Sequence, residues 1–215
     1  MITIDLGVGS TLIPYAEGLE RQRELHASVR DGASPGALLL LEHEPVYTAG
    51  RRTEPSDHPT DGSPVVPADR GGRITWHGPG QLVGYPVVRL PQPIDVVAWV
   101  RLLERVLVDV VSSLGGEPFL VAGRSGVWLS VDGAPAKVAA IGVRVADGIT
   151  THGFALNCSN SLEPFSRIVP CGIRDAGVTT LSDTLGRRIH PVDVVSAVRE
   201  RMERALSPEP AKASA

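Results

Sequence analysis

The stretch from 126 to 157 constrains the fold most. It carries three strand-like runs, 126–131, 137–145 and 149–157, punctuated by Gly133 and by the dipeptide Asp147-Gly148. An Asp-Gly pair between two alternating runs predicts a tight hairpin, because the favoured two-residue turn needs positive φ at both central positions. Further strand-like runs lie at 2–6, 38–41, 46–52, 73–76 and 81–88, the second an unbroken Leu38-Leu39-Leu40-Leu41 that reads as a buried strand. Helical spacing marks 15–29 after Pro14, 94–114 ended by Gly115-Gly116, and 191–206. Between them, 53–69 holds four Pro, three Asp and Gly62 and reads as a loop, while short helical pieces and a long loop fill 160–186. Helices mixed with antiparallel hairpins, without a repeat or a composition shift, predict a single α+β domain over 1–206. Residues 207–215 read as a disordered C-terminal tail.

Composition narrows the function classes. A net charge of −3 argues against a nucleic-acid or anionic-membrane surface, and no apolar run approaches the length of a membrane span. The first residues lack the basic and apolar regions of a signal peptide, so Cys158 and Cys171 are expected to be reduced thiols in a cytoplasmic protein. There is no His-x-x-x-His and no Cys-x-x-Cys, and no metal site is expected.

The basic residues are unevenly chosen. Of 21, 19 are Arg, and the two Lys are Lys137 and Lys212, the latter in the tail. An arginine never gives up its proton, whereas burial can bring a lysine amine into the neutral range. Lys137 is therefore either a titrating group or a gatekeeper charge at a strand edge.

Three segments concentrate chemistry. The first, from Asp69 to Gln81, interleaves Gly71, Gly72, Gly78 and Gly80 with Arg70, Arg73, Thr75, His77 and Gln81. It matches neither a Walker A loop nor a dinucleotide fingerprint. A turn scaffold accounts for its glycines; a binding loop also accounts for the polar residues between them. In the second, a strand starting at Lys137 would put Lys137, Ala139 and Ile141 on one face, leaving room beside the amine for an apolar substrate. In the third, Cys171 stands between Pro170 and Gly172, with Arg167 and Arg174 nearby. Most single loop cysteines are inert, but a loop thiol among cations also fits an accessible, low-pKa nucleophile. Cys158, at the end of an apolar run, reads as structural.

Together these segments resemble the lipoyl(octanoyl) transferase family, the octanoyl-acyl-carrier-protein:protein octanoyltransferases. The likeness runs through Leu40-Leu41-Glu42-His43-Glu44-Pro45-Val46-Tyr47-Thr48 and Arg70-Gly71-Gly72-x-x-Thr75-x-His77-Gly78-Pro79-Gly80-Gln81. It continues in Lys137-Val138-Ala139-Ala140-Ile141-Gly142-Val143-Arg144, His152-Gly153-Phe154-Ala155-Leu156-Asn157 and Pro170-Cys171-Gly172-Ile173, spanning roughly two thirds of the chain.

The resemblance implies the α+β fold of biotin and lipoate ligase catalytic domains, a mixed or antiparallel sheet flanked by helices. It implies that Cys171 takes an octanoyl group from acyl carrier protein as a thioester. A lysine of an apo lipoyl domain, on a 2-oxoacid dehydrogenase complex or the glycine-cleavage H protein, then receives it as an amide. By position, Cys171 and Lys137 would be catalytic. Arg70, Gly71, Gly72, Arg73, Ile74, Thr75, Trp76, His77, Ala140, Ile141, Gly142, Gly153, Phe154 and Ala155 would line the acyl site. No cofactor and no nucleotide are implied, and a monomer is expected. Three rivals share some of these residues: an ATP-dependent lipoate or biotin ligase, a thioesterase pairing Cys171 with His77 or His152, and a non-catalytic lipoyl-domain binder.

Overall fold

The computed structural model describes residues 2–168 and 176–207. Cys171, Arg174 and positions 208–215 of the expected tail lie outside the described residues. The first seven strands are β1 Ile2–Asp5, β2 Leu12–Ile13, β3 Ala37–His43, β4 Val46–Ala49, β5 Val65–Pro67, β6 Thr75–His77 and β7 Gln81–Val87. They are followed by β8 Phe119–Val121, β9 Arg124–Val131, β10 Ala134–Ala146, β11 Ile149–Asn157 and β12 Gly177–Val178. The helices are α1 Tyr15–Arg30, α2 Val96–Ser113, α3 Leu181–Leu185 and α4 Pro191–Leu206.

The Asp147-Gly148 hairpin forms as its sequence predicts, pairing Ala146 with Ile149 and Ala139 with Leu156; Asp147 and Gly148 both take positive φ. Around it, the described residues build a sheet in the order β1-β3-β7-β11-β10-β9-β8, with β2 added to β3 and β12 to β10. Pairs β1/β3, β2/β3 and β10/β12 are parallel and the others antiparallel, so the sheet is mixed. A smaller sheet, β5-β4-β6, forms separately.

The Leu38–Leu41 run explains the layering. Leu38 and Leu40 pack with Trp99, Leu103, Leu107 and Val110 of α2 and with Val194, Val198 and Met202 of α4. Leu39 and Leu41 face the other way, into a cluster with Val83, Tyr85 and Ala155 that Leu25 of α1 joins. A strand buried on both faces needs a continuous apolar run, not an alternating one. At the start of α2, the Asp95 side chain accepts the Ala98 N–H at 2.8 Å. Among the described residues no helix is long and apolar enough to cross a membrane.

Three expectations need correction. The loop 53–69 contains strand β5, and β8 forms at 119–121 where no strand was expected. More consequential, Lys137, Ala139 and Ile141 do not share one face. The β9–β10 ladder pairs Lys137 with Trp128 but Ala139 with Val127, so β10 spends three residues where β9 spends two. This bulge turns Val138 and Ala139 together into the α2/α4 core and returns Ala140 to the face of Lys137.

Candidate active site

On the face of the sheet opposite α2 and α4, the smaller sheet and the loop after β5 leave a cleft of about 530 Å³. Its floor is β10 and β11, and it receives Arg70, Gly72, Arg73, Thr75 and His77 from one wall. The floor supplies Lys137, Ala140, Ile141 and Gly142 from β10, and Gly153, Phe154 and Ala155 from β11. Period two explains which wall residues are missing. Thr75 and His77 point inward, while Ile74 and Trp76 pack outward with Tyr47, Phe165 and Ile168. Gly71 does not line the cleft but fastens its wall to the floor, its N–H donating to the Val143 carbonyl at 2.9 Å. The Phe154 ring turns to the far face, filling the space a side chain at Gly84 would need.

Arg70 holds the wall in shape. Its guanidinium donates to the Thr48 carbonyl and hydroxyl, both at 2.8 Å, to the Arg73 carbonyl at 2.8 Å and to the Gly71 carbonyl at 3.1 Å. Arg73 is tied back to Asp57 at 3.2 Å and Glu54 at 2.6 Å. Arg52 lines the mouth of the cleft, and Arg51 beside it is exposed.

Three buried histidines flank one end, and all three are held neutral. His77 donates through Nδ1 to Gln81 Oε1 at 2.8 Å, since the Gln81 amide is turned to donate to Trp76 and Asn157. Burial, then the cations and histidines around it, pushes its pKa down to about 3. His43 donates through Nδ1 to the Ile13 carbonyl at 2.8 Å and accepts at Nε2 from the Tyr85 hydroxyl at 2.7 Å. Burial lowers it to about 4. His152 contacts Asp69 at 2.6 Å, and burial with the nearby Arg70 and Arg144 lowers it to about 4. Tyr15 stacks parallel to His77 with ring centroids 6.5 Å apart. The Tyr15 hydroxyl is buried in the cleft wall without a hydrogen-bond partner among the described residues. Sequence reading missed Tyr15 and Tyr85 as cleft residues. Their one signal was a polar aromatic among aliphatic positions of a helix start and a strand.

Lys137 lies at the other end, 7% exposed, its Nζ 4.7 Å from the Trp128 ring centroid. It borders both the cleft and a small apolar pocket made with Trp128, Phe165, Ala176 and Val178. A chain of neutral side chains runs to its backbone. Gln81 donates to Asn157 at 2.9 Å, Asn157 to the Thr179 carbonyl at 3.0 Å, and the Thr179 N–H to the Lys137 carbonyl at 3.0 Å. Cys171, the expected nucleophile, lies outside the described residues; β12 pairs Gly177 with Ala136 and Val178 with Lys137. Cys158 is fully buried, and burial pushes its thiol up to about 12, which suits a packing role. Among the described residues no group of three His, Cys, Asp or Glu is placed to hold a metal ion.

The described residues thus form an α+β domain, a mixed sheet with α2 and α4 on one face and a cleft bordered by the buried Lys137 on the other. The chain belongs to the lipoyl protein ligase A/B catalytic domain family, whose profile matches residues 14–203. It is 61% identical over 206 residues to an octanoyltransferase of Clavibacter sepedonicus, covering 94% of this chain and 89% of that protein. In fold it is similar to the bipartite lipoate protein ligase of Thermoplasma acidophilum, with a TM-score of 0.66 at 12% identity over 95% of this chain and 82% of that one. Biotin protein ligase of Aquifex aeolicus is more distant, with a TM-score of 0.53 at 14% identity over 96% of this chain and 69% of that one.

Proposed function

We propose that this chain is an acyltransferase that moves an octanoyl group from octanoyl-acyl carrier protein to a specific lysine of apo lipoyl domains. The observation that carries the reading is the cleft with Lys137 at its end, where β12 pairs with β10 at that residue. Two residues lie between Ile168 and Cys171 and four between Cys171 and Ala176, and a chain reaches at most about 3.5 Å per residue. On this reading the Cys171 thiol meets the Lys137 amine at the end of the cleft.

The reaction balances without a nucleotide. The Cys171 thiolate attacks the carbonyl carbon of the carrier thioester, and the carrier thiol departs with a proton that Lys137 relays. The ε-amine of the lipoyl-domain lysine then attacks the enzyme thioester. An amide forms, the C–S bond breaks, and the amine's surplus proton passes through Lys137 to regenerate the thiol. Thioester and amine become amide and thiol, a downhill exchange that needs no activated phosphate. The acyl chain runs along Ala140, Gly142, Gly153 and Ala155, and Arg70, Gly72, Arg73, Thr75 and His77 close over it. Burying its tail contributes about 0.8 kcal/mol per methylene, enough to hold the intermediate until the second protein docks. The protein works as a monomer in the cytoplasm on this reading, and its partners are acyl carrier protein and lipoyl domains.

The test is intact-protein mass spectrometry after incubation with octanoyl-acyl carrier protein, without ATP or Mg²⁺. An octanoyl adduct on Cys171 that is discharged by an apo lipoyl domain is the expected result. Strict dependence on ATP would place the chain among the ligases, and release of free octanoate with no lipoyl-domain product would make it a thioesterase.

A further inference from the structure

Helix α2 carries a fully buried carboxylate, Glu104, that the proposed reaction does not use. Glu104 stands among Leu103, Val106 and Leu107 with no exposed surface. Burying a carboxylate is costly unless it is paired and hydrogen-bonded. One oxygen meets Arg101 at 2.5 Å, and the other accepts the backbone N–H of Gly126 at 3.0 Å. Gly126 belongs to β9, next to the bulge that re-aims Lys137, and it is paired in neither neighbouring ladder. An N–H taken out of a ladder and buried requires another acceptor, and Glu104 supplies it.

The backbone at Gly126 has φ of +113°, and a side chain there would run into the Ala139 carbonyl and come within 3.4 Å of Lys137 Cε. The lysine stem therefore crosses the bare backbone of Gly126 on its way to the cleft. Moving Gly126 moves the ground over which Lys137 lies.

We propose that Glu104 is a positioning residue for Lys137: through Gly126 it pins the bulge that aims the amine into the cleft, acting from the opposite face of the sheet. Its bearing on turnover rests on the reading of Lys137 given above, but its bearing on where the amine lies does not.

The chain has two lysines, so lysine labelled with ¹³C at Cε gives one resonance for Lys137 and one for Lys212, which a Lys212→Arg chain assigns. The Trp128 ring shifts the Lys137 signal away from that of a solvated lysine. Glu104→Leu should return it toward the solvated position and lower kcat for octanoyl transfer by roughly a hundredfold, with KM for the donor little changed. Glu104→Gln keeps an acceptor for Gly126 and should restore both the resonance and most of kcat. Glu104→Asp, which keeps the charge but withdraws it from Gly126, should behave like the Leu variant if that one fails to fold. Arg101→Ala should leave the resonance in place. A Lys137 resonance unmoved in both Glu104→Leu and Glu104→Asp overturns the proposal. A resonance that moves while kcat stays normal upholds the positioning and removes Lys137 from the reaction instead.

Discussion

Ala139 and Ala140 are adjacent in sequence and face opposite worlds, which makes them a paired probe of the bulge and of the cleft at once. Ala139 is fully buried in the α2/α4 core, whereas Ala140 is half-buried and lines the cleft beside Lys137. Replacing each by Val adds two carbons and suits a strand. On the proposed placement of the acyl chain, the methyls added at Ala140 take part of its space. Displacing two methylenes' worth of contact, at about 0.8 kcal/mol each, weakens octanoyl capture by about 1.6 kcal/mol, or roughly fifteenfold in KM for the donor. Stability should change by less than about 0.5 kcal/mol, as at other open positions. At Ala139 the same methyls enter a closed interior, and overpacking should cost about 1–3 kcal/mol of unfolding free energy.

The assay pairs urea unfolding with the initial rate of acyl-enzyme formation against donor concentration. Ala139→Val should lower the urea midpoint and leave KM near normal; Ala140→Val should do the reverse. Without the bulge, strict alternation would exchange these two phenotypes. Finding them exchanged would refute the account of β10, and finding KM unchanged in both would refute the placement of the acyl chain.

Other consequences follow from the same geometry. Cys171→Ser should abolish the acyl-enzyme seen by mass spectrometry, while Cys158→Ser should keep it; Lys137→Arg, which holds the charge but not a transferable proton, should lose at least about a hundredfold in kcat. Normal turnover of Lys137→Arg would reduce Lys137 to a structural cation. His43, His77 and His152 have folded pKa values below the unfolded value near 6.5, so the unfolded chain binds more protons and stability is lost as pH falls from about 6.5 toward 4. The slope should approach about 1.4 kcal/mol per pH unit for each histidine, read from urea midpoints at pH 7 and 5, and a flat profile across that window would contradict their burial as neutral rings. Arg70→Lys keeps a positive charge but cannot reach all four acceptors, and losing two charged hydrogen bonds should cost about 3 kcal/mol, measured by urea unfolding. A wild-type midpoint would mean that the wall does not depend on the guanidinium fork.

What could be read from the sequence is what local chemistry decides. The leucine run, the Asp147-Gly148 turn and the spacing of α2 each carry their own physical cause, and each element formed where that cause lies. The strands β2, β5, β8 and β12 have two or three residues apiece, too few for periodicity, and exist because a neighbouring strand offers hydrogen bonds. The face of Lys137 was misjudged for a related reason. Alternation from Lys137 assumes an unbroken ladder, but the bulge depends on Gly126 meeting Glu104, 22 positions away on a helix. Thr75 and His77 could be placed together by period two, yet the outward turn of Ile74 and Trp76 needed the Phe165 and Ile168 cluster to be seen. A glycine-rich motif marks where backbone and substrate approach, not which of its side chains do so.

The bias toward arginine acquires a physical sense at this point. Arg70 satisfies three carbonyls and a hydroxyl at once, Arg73 clamps two carboxylates, and Arg89 caps the carbonyls of Val29 and Asp147. Each task asks for a rigid fork of donors with a permanent charge, and an ammonium on a flexible stem would perform it poorly. At the end of the cleft the requirements reverse. A compact group on a slender stem crosses the bare backbone of Gly126 and lies over the Trp128 ring. The chain therefore uses arginine where it must hold a shape, and its one internal lysine stands where the proposed reaction has a proton to move.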